Sequence, residues 1–457
     1  MKRLYGMVDG EARRRRPDPS HQSPMSDYTQ RIVDHELDEL LPGLAAIAIE
    51  GPKAVGKTAT AERRAATVHR LDVPEIRSIA TADPTVLLTD SPPILLDEWQ
   101  HVPAIWDAVR AAVDRDPTPG RFVLAGSATP TKPPNHSGAG RIVRVRMRPL
   151  SLAERGLGEP TVSLSDLLRG AQAKAEGHTS LGLADYTHEI VASGFPGIRR
   201  LSGRALRAQL DGYLERIVDR DFEEQGYAVR RPQTLRRWMA AFAAATATAT
   251  SLEKIRNAAA TGAEEAPAKT TVIAYRNVLE QLWILDQVPG WMPTKNHLRR
   301  LTQAPKHHLV DPALAARLLG VDTGALLGGI AAGAKLVTIA PTAARPRDGT
   351  LLGQLFEALV TQSVRVYAQA AEARVYHCRT YDGRREIDLI VETGDHRVLA
   401  LEVKTSAEVT DEDVNHLLWL REQIGSTLTD MVVITTGKRA YRRQDGVAVV
   451  PAALLGP

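Results

Sequence analysis

The order of apolar and polar positions divides the chain before any chemistry is considered. From Tyr28 apolar residues recur at helical spacing, and the short apolar run Leu44–Ile49 (LAAIAI) follows, closed by Glu50. A run of that length predicts a strand buried on both faces. The glycine-rich GPKAVGKT comes next, then TATAERRAATVHRL, which reads as a helix. Ile94–Leu96 and Arg121–Ala125 are two further strand-like runs, and HVPAIWDAVRAAVDRD between them spaces its apolar residues as a helix does. Strands alternating with helices predict a parallel α/β sheet covered on both faces.

The pattern changes after Pro149-Leu150-Ser151. A Gly- and Ala-rich stretch at 156–182 reads as a linker or insertion. Residues 185–320 are mostly helical in pattern, broken by NAAATGAEEAPAKT, which reads as a surface loop. Beyond a second Gly/Ala/Pro-rich break come a helix (LLGQLFEALVTQSVRVYAQ), three strand-like runs (ARVYHCRT, REIDLIVE, VLALEVKT), a helix around Val414–Ile424 and a strand, MVVITT. That is a separate small α/β unit. The opening residues are polar and Pro-containing, which predicts disorder. The division is therefore a basic tail at 1–27, an α/β domain at 28–155, a helical region at 156–320, a linker at 321–349 and a C-terminal α/β domain at 350–457.

Composition narrows the functional classes. Over 457 residues, 58 Lys and Arg face 54 Asp and Glu, giving a formal charge of +4 and a pI near 9.1. Six basic residues, Arg13–Arg16 among them, face three acidic ones within the first 25, so nearly all of the surplus lies in the tail. The remainder is close to neutral, which argues against a basic coat for nucleic acid. The one cysteine, Cys378, excludes an intramolecular disulfide and multi-cysteine metal sites. No apolar run reaches membrane-spanning length, and the charged N-terminus lacks the apolar core of a secretory signal, so the expectation is a cytoplasmic protein with no membrane partner. The 13 histidines show no metal-ligand spacing, and His307-His308 reads as a surface pair.

The first candidate chemistry lies after the first strand. Gly51-Pro52-Lys53-Ala54-Val55-Gly56-Lys57-Thr58 matches G-x-x-x-x-G-K-[ST] in full, with a strand before it and a helix after. Glycines let such a loop turn its N–H groups onto phosphate oxygens; Lys57 reaches the terminal phosphates of ATP and the Thr58 hydroxyl binds Mg²⁺. Phosphoryl transfer also needs a carboxylate for the metal and a group that orients water. The Ile94–Leu96 strand delivers both at its C-terminal end, Asp97 for the metal and Glu98 as general base. Ser127, in the turn after the third strand, is placed to sense the γ-phosphate. Arg141 is a candidate arginine finger acting across a subunit interface, whereas Arg144, Arg146 and Arg148 read as a solvated basic strand.

The C-terminal unit holds a second acidic constellation: Glu357 in its helix, Asp388 on one strand, and Glu402 with Lys404 on the next. Residues i and i+2 share a strand face, so Glu402 and Lys404 point together. Carboxylates and a lysine at a sheet edge are what a metal-dependent phosphodiesterase needs.

GPKAVGKT, DEWQ, the GSAT turn and the GAGR-to-RPLSLAE passage together resemble an AAA-type P-loop ATPase group of bacteria and archaea with a C-terminal domain of unassigned role. The resemblance continues through Ser193-Gly194-Phe195-Pro196, the Tyr213–Asp221 segment and TVIAYRNVLEQLWILDQVPGW, the last similar to a winged helix. It implies Arg141 as the finger; Trp99 departs from the smaller apolar residue usual there. Asp-x₁₃-Glu-x-Lys after an acidic helix resembles the PD-(D/E)XK nuclease fold, with Ile387 in place of its proline. The reading is a Mg²⁺-dependent ATPase coupled to remodelling of nucleic acid or a partner, with a homo-oligomer and DNA as further partners. Its rivals are a nucleotide-gated DNA nuclease and a non-hydrolysing, ATP-switched DNA-binding regulator.

Overall fold

The computed structural model describes residues 28–129, 137–170, 173–260, 266–293, 303–331, 351–380 and 383–457. The tail with Arg13–Arg16, and residues 332–349 of the expected linker, lie outside them. Five strands form the first sheet: β1 (Ala46–Glu50), β2 (Thr67–Arg70), β3 (Ile94–Asp97), β4 (Phe122–Gly126) and β5 (Ile142–Arg146), all parallel in the order β2-β3-β4-β1-β5. The inner strand β1, between β4 and β5, buries both of its faces, because alternate residues of a strand point opposite ways. Ile47 and Ile49 join one core with Leu95, Val123 and Val145, while Ala46 and Ala48 join another with Leu124 and the helix Ala104–Arg115. Chain order reverses at β1, so the crevice beyond its C-terminal end is the natural place for a ligand.

One element differs from its sequence pattern. The helix expected over 58–71 stops at Glu62, and Thr67–Arg70 forms the edge strand β2 against β3. Val68 and Arg70 face solvent while Thr67 and His69 are half-buried, a strand alternation that helical spacing does not produce.

The middle region is helical, as its pattern predicts. Trp238 of the helix Pro232–Ala244 packs against Phe242 and against Tyr275 of the helix Lys269–Gln281, and Tyr275 also meets Phe222 edge-on. The chain then runs out and back in an antiparallel hairpin, with Leu285 bridged to Leu309 and Val288 to Lys306. His307 and His308, read as a surface pair, are buried there: the His308 carbonyl accepts from the Asp286 amide, and the His307 ring stacks near Phe242.

The C-terminal unit is not separate. A short strand, β6 (Val162–Ser163), pairs in parallel with Leu455–Gly456, and the eight-stranded sheet runs β7 (Gly177–His178), β13 (Arg439–Arg442), β14 (Ala448–Pro451), β12 (Leu428–Thr435), β11 (Val398–Val403), β10 (Glu386–Glu392), β9 (Arg374–Arg379) and β8 (Gly290–Trp291). Two of those strands, β7 and β8, come from the middle of the chain. Part of the 156–182 stretch, read as a linker, is structural: Leu164, Leu167 and Leu168 of the helix Leu164–Arg169 sit at helical spacing and are buried, with that helix packed on β11 and β12. The expected 321–349 linker likewise opens with a helix, Thr323–Ala331, packed on the helix Leu183–Val191. The long helix Leu351–Ala370 carries the core from the C-terminal sheet to the helix Ile32–Leu40 beside the first sheet. Among the described residues no helix is long and apolar enough to cross a membrane.

Asp286 joins the three parts. Its carboxylate meets Arg148, just past β5, at 2.8 Å and Arg365 of the long helix at 3.2 Å, and Arg365 also donates to the carbonyls of Asp286 and Gln287. Burial alone would raise this carboxyl, but Arg148, Arg365 and Arg146 hold it well below the usual carboxylate range. Its contribution is thus complete above the ordinary carboxylate pKa and is lost as pH falls through the lower folded-state value. Asp286→Asn leaves two largely enclosed arginines short of their counter-charge, and we expect a loss of about 3 kcal/mol at pH 7. Denaturant unfolding of both proteins checks this, and the gap between them should shrink below about pH 4.

Candidate functional site

The loop after β1 is shaped by close approach. A Cβ on Gly51 would lie 2.2 Å from the Met147 carbonyl oxygen, and the Met147 amide donates to the Glu50 carbonyl at 2.7 Å. Only glycine lets the strand end pass so near the chain leaving β5. Ala54 (φ +64°) and Gly56 (φ +101°) then take left-handed conformations, which turn successive N–H groups toward one side as an anion-binding concavity. From outside the loop, Arg31 donates to the Val55 carbonyl at 3.0 Å and is fixed in turn by Glu154 at 2.9 Å.

Lys57 opens the following helix, Lys57–Glu62, and is 5% exposed. Its ammonium donates to the carbonyls of Gly51 at 2.9 Å and Pro52 at 2.8 Å. Burial lowers its pKa to about 8, against the pull of Glu98 and Asp97. The Thr58 hydroxyl lies 3.0 Å from each oxygen of the Asp97 carboxylate. Burial raises Asp97 to about 6, and the Thr58 hydrogen bond works against that rise. A hydroxyl beside a carboxylate is the all-oxygen donor set that suits Mg²⁺.

Glu98 ends β3 in the left-handed region at φ +52°, a conformation a non-glycine residue adopts at a cost when its surroundings impose it. Its carboxylate accepts from the Ser127 hydroxyl at 2.8 Å and from the Gln100 amide. Trp99 turns down beneath β4, where a Cβ on Gly126 would lie 2.6 Å from its indole nitrogen. Lys57, Thr58, Asp97, Glu98 and Ser127 therefore stand together at the C-terminal ends of β1, β3 and β4. Gln100 was not singled out from the sequence; a polar residue two positions after the acids is its only signal.

The middle region closes on this loop. Lys53 pairs with Asp221 at 2.7 Å and Glu224 at 2.9 Å, and the Tyr213 hydroxyl donates to the Lys53 carbonyl at 3.2 Å. The arginines of β5 divide. Arg144 is half exposed, whereas Arg146 and Arg148 are largely enclosed, which corrects their reading as a solvated strand. Arg146 stacks 3.9 Å from the Trp283 ring and burial lowers it to about 9. Arg141 pairs with Asp114 at 2.7 Å. It precedes β5 at the sheet's opposite end from Gly51, since Ala46 pairs with Ile142 and Glu50 with Arg146.

The C-terminal constellation is also assembled. The Val403 amide donates to Asp388 at 3.0 Å, and Lys404 lies 3.9 Å from Glu402. Sequence reasoning missed the group at its centre. Lys306, 1% exposed, reaches in from the hairpin to Glu357 at 2.8 Å, Asp388 at 3.0 Å and Glu386 at 3.2 Å. Burial favours the neutral amine, but Asp388, Glu357 and Glu386 hold Lys306 charged. Burial pushes Glu357 up to about 8 and Glu402 upward as well, while the two lysines bring Asp388 down to about 2. Among the described residues no three carboxylate, histidine or cysteine side chains are arranged to hold a metal ion.

Comparison with known proteins agrees on the first part. Residues 45–155 match the family described as AAA domain, which supports the AAA-type P-loop reading of the first sheet and its loop. Residues 183–325 and 352–455 match two families described as domains of unknown function, DUF8612 and DUF4143. Uncharacterized proteins of Mycobacterium bovis and Mycobacterium tuberculosis are each 25% identical over 419 residues, covering 89% of this chain and 80% of theirs. Among solved structures, a Walker-type ATPase of Pyrococcus abyssi aligns with a TM-score of 0.37 at 14% identity, over 64% of this chain and 97% of that one. The ORC2 protein of Aeropyrum pernix aligns with a TM-score of 0.25 at 14% identity, over 66% and 92%.

The contact at Gly51 gives a direct test of the loop's shape. Gly51→Ala must push β5 away from β1, so we expect a loss of about 3 kcal/mol, near the upper end of single-residue effects. Denaturant unfolding measures it, and an unchanged midpoint would contradict the close approach.

Proposed function

We propose that the protein hydrolyses ATP at the loop Gly51-Pro52-Lys53-Ala54-Val55-Gly56-Lys57-Thr58. The observation that carries this reading is the convergence of Lys57, the Thr58–Asp97 pair and the Ser127-held Glu98 on the crevice beyond β1. In the nucleotide-bound state Lys57 exchanges the Gly51 and Pro52 carbonyls for phosphate oxygens. The Thr58 hydroxyl and the Asp97 carboxylate would hold Mg²⁺, which would neutralise the phosphate charge when bound. Glu98 accepts a proton from the attacking water as its oxygen bonds to the γ-phosphorus; the bond to ADP breaks and inorganic phosphate leaves. Ser127 and Gln100 fix the direction of Glu98. Arg141, at the far end of the sheet, serves a second copy of the chain, which makes a homo-oligomer the active form.

For the C-terminal unit we read a PD-(D/E)XK-like fold. Its support is the β10–β11 antiparallel pair carrying Asp388, Glu402 and Lys404, followed by parallel β12 across the helix Asp411–Ile424. Three helices and a hairpin in the middle region support a winged-helix reading. The inner strand of that hairpin is engaged with Glu357 and Asp388, which favours an internal, remodelling role over DNA capture.

Glu98→Gln should lower steady-state ATP turnover roughly 100-fold or more while ATP binding is retained. Lys57→Ala should lose binding itself. Because charged Lys57 is the binding form, ATP affinity should decline as pH rises past about 8. Turnover assays, and equilibrium binding of a fluorescent ATP analogue across that range, check these; unchanged turnover in Glu98→Gln would sink the assignment.

A further inference from the structure

The buried lysine from the hairpin goes beyond the ATPase reading and does not depend on it. Lys306 occupies the middle of the C-terminal carboxylates: Glu357 comes from the long helix, Asp388 and Glu386 from β10, and the ammonium lies within 3.2 Å of all three. A buried ammonium is costly unless its donors are met by acceptors. Here three carboxylates, contributed by two elements, meet the ammonium. The hairpin around it is held in place independently: the Lys306 amide and carbonyl bond to Val288, and His307 and His308 beside it are buried. The lysine is therefore delivered to the cluster by a defined backbone, not by a wandering surface chain.

We propose that Lys306 is a built-in counter-ion that closes the C-terminal cluster to divalent metal. Its ammonium takes the central seat among the carboxylates, so with the hairpin docked the cluster holds no Mg²⁺ or Mn²⁺. The same contact locks the hairpin to the C-terminal sheet. The hairpin is joined at its base to the ATPase domain, through Asp286 to Arg148 and through Trp283 to Arg146.

The test uses the full chain, free of nucleotide, with Mn²⁺ alone as the probe and electron paramagnetic resonance to count bound ion. Wild type should show no Mn²⁺ uptake that Asp388→Asn removes. Lys306→Ala removes the ammonium that Glu357 and Asp388 share and should take up Mn²⁺ with an affinity roughly tenfold or more above wild type, the size of effect that groups around a metal centre produce. That gain should vanish in Lys306→Ala combined with Asp388→Asn. Lys306→Gln, which keeps a hydrogen-bond donor in the seat, gives the same reading on a less perturbed protein, and circular dichroism verifies that each variant is folded. Thermal unfolding supplies a second readout: Mn²⁺ should restore part of the stability that Lys306→Ala loses and leave wild type unchanged. Either of two results overturns the proposal: uptake by wild type that depends on Asp388, or no gain over wild type in a folded Lys306 variant.

Discussion

A carboxylate that can be buried only between arginines from two other parts of the chain organises this molecule. Asp286 lies at the start of the hairpin, Arg148 leaves the first sheet, and Arg365 sits on the long helix. None of the three charges could be enclosed alone, since stripping water from an ion costs several kcal/mol that only a close partner offsets. The requirement fixes where β5 ends relative to the hairpin, and where the hairpin lies relative to the helix that bears Glu357. The two acidic sites are thereby placed in one frame.

The two acidic sites make an instructive pair. At the first, Asp97 and Glu98 meet hydroxyl and amide groups, from Thr58, Ser127 and Gln100, while the nearby ammonium of Lys57 is occupied with backbone carbonyls. At the second, Glu357 and Asp388 contact an ammonium directly. Similar side chains therefore present different chemistry. Neutral partners leave the negative charge available to a ligand, and a cationic partner cancels it.

How much of this could be read in the sequence depended on the range of the interactions. The central strands β1, β3 and β4 were legible because each is a short apolar run whose burial is decided by its own residues. The shape of the loop Gly51–Thr58 was legible because the residues that set it are contiguous. Edge strand β2 was not, since its four residues carry few apolar positions and Thr67–Arg70 continues the helical spacing before it. The helix Leu164–Arg169 was obscured by the glycines and alanines around it, although its leucines are spaced for burial. Arg146 and Lys306 were illegible for a different reason. Nothing local distinguishes a buried cation from a solvated one; the distinction lies in partners such as Trp283, or Glu357 and Asp388, that are distant in sequence.

The strands at the two borders of the eight-stranded sheet bear on how the chain is made. The borders are β7, from residues 177–178, and β8, from 290–291, yet every strand between them lies after residue 373. During synthesis the first sheet has all of its strands once Arg146 has emerged. The border strands of the second must wait for a centre that has not yet been translated. Pairings over such sequence separations form slowly and leave unpaired edges exposed meanwhile. Translation order thus separates an early sheet, complete in itself, from a late one whose central strands are made after its borders. A chain cut short before residue 351 would keep the first sheet while stranding both borders without a sheet to join.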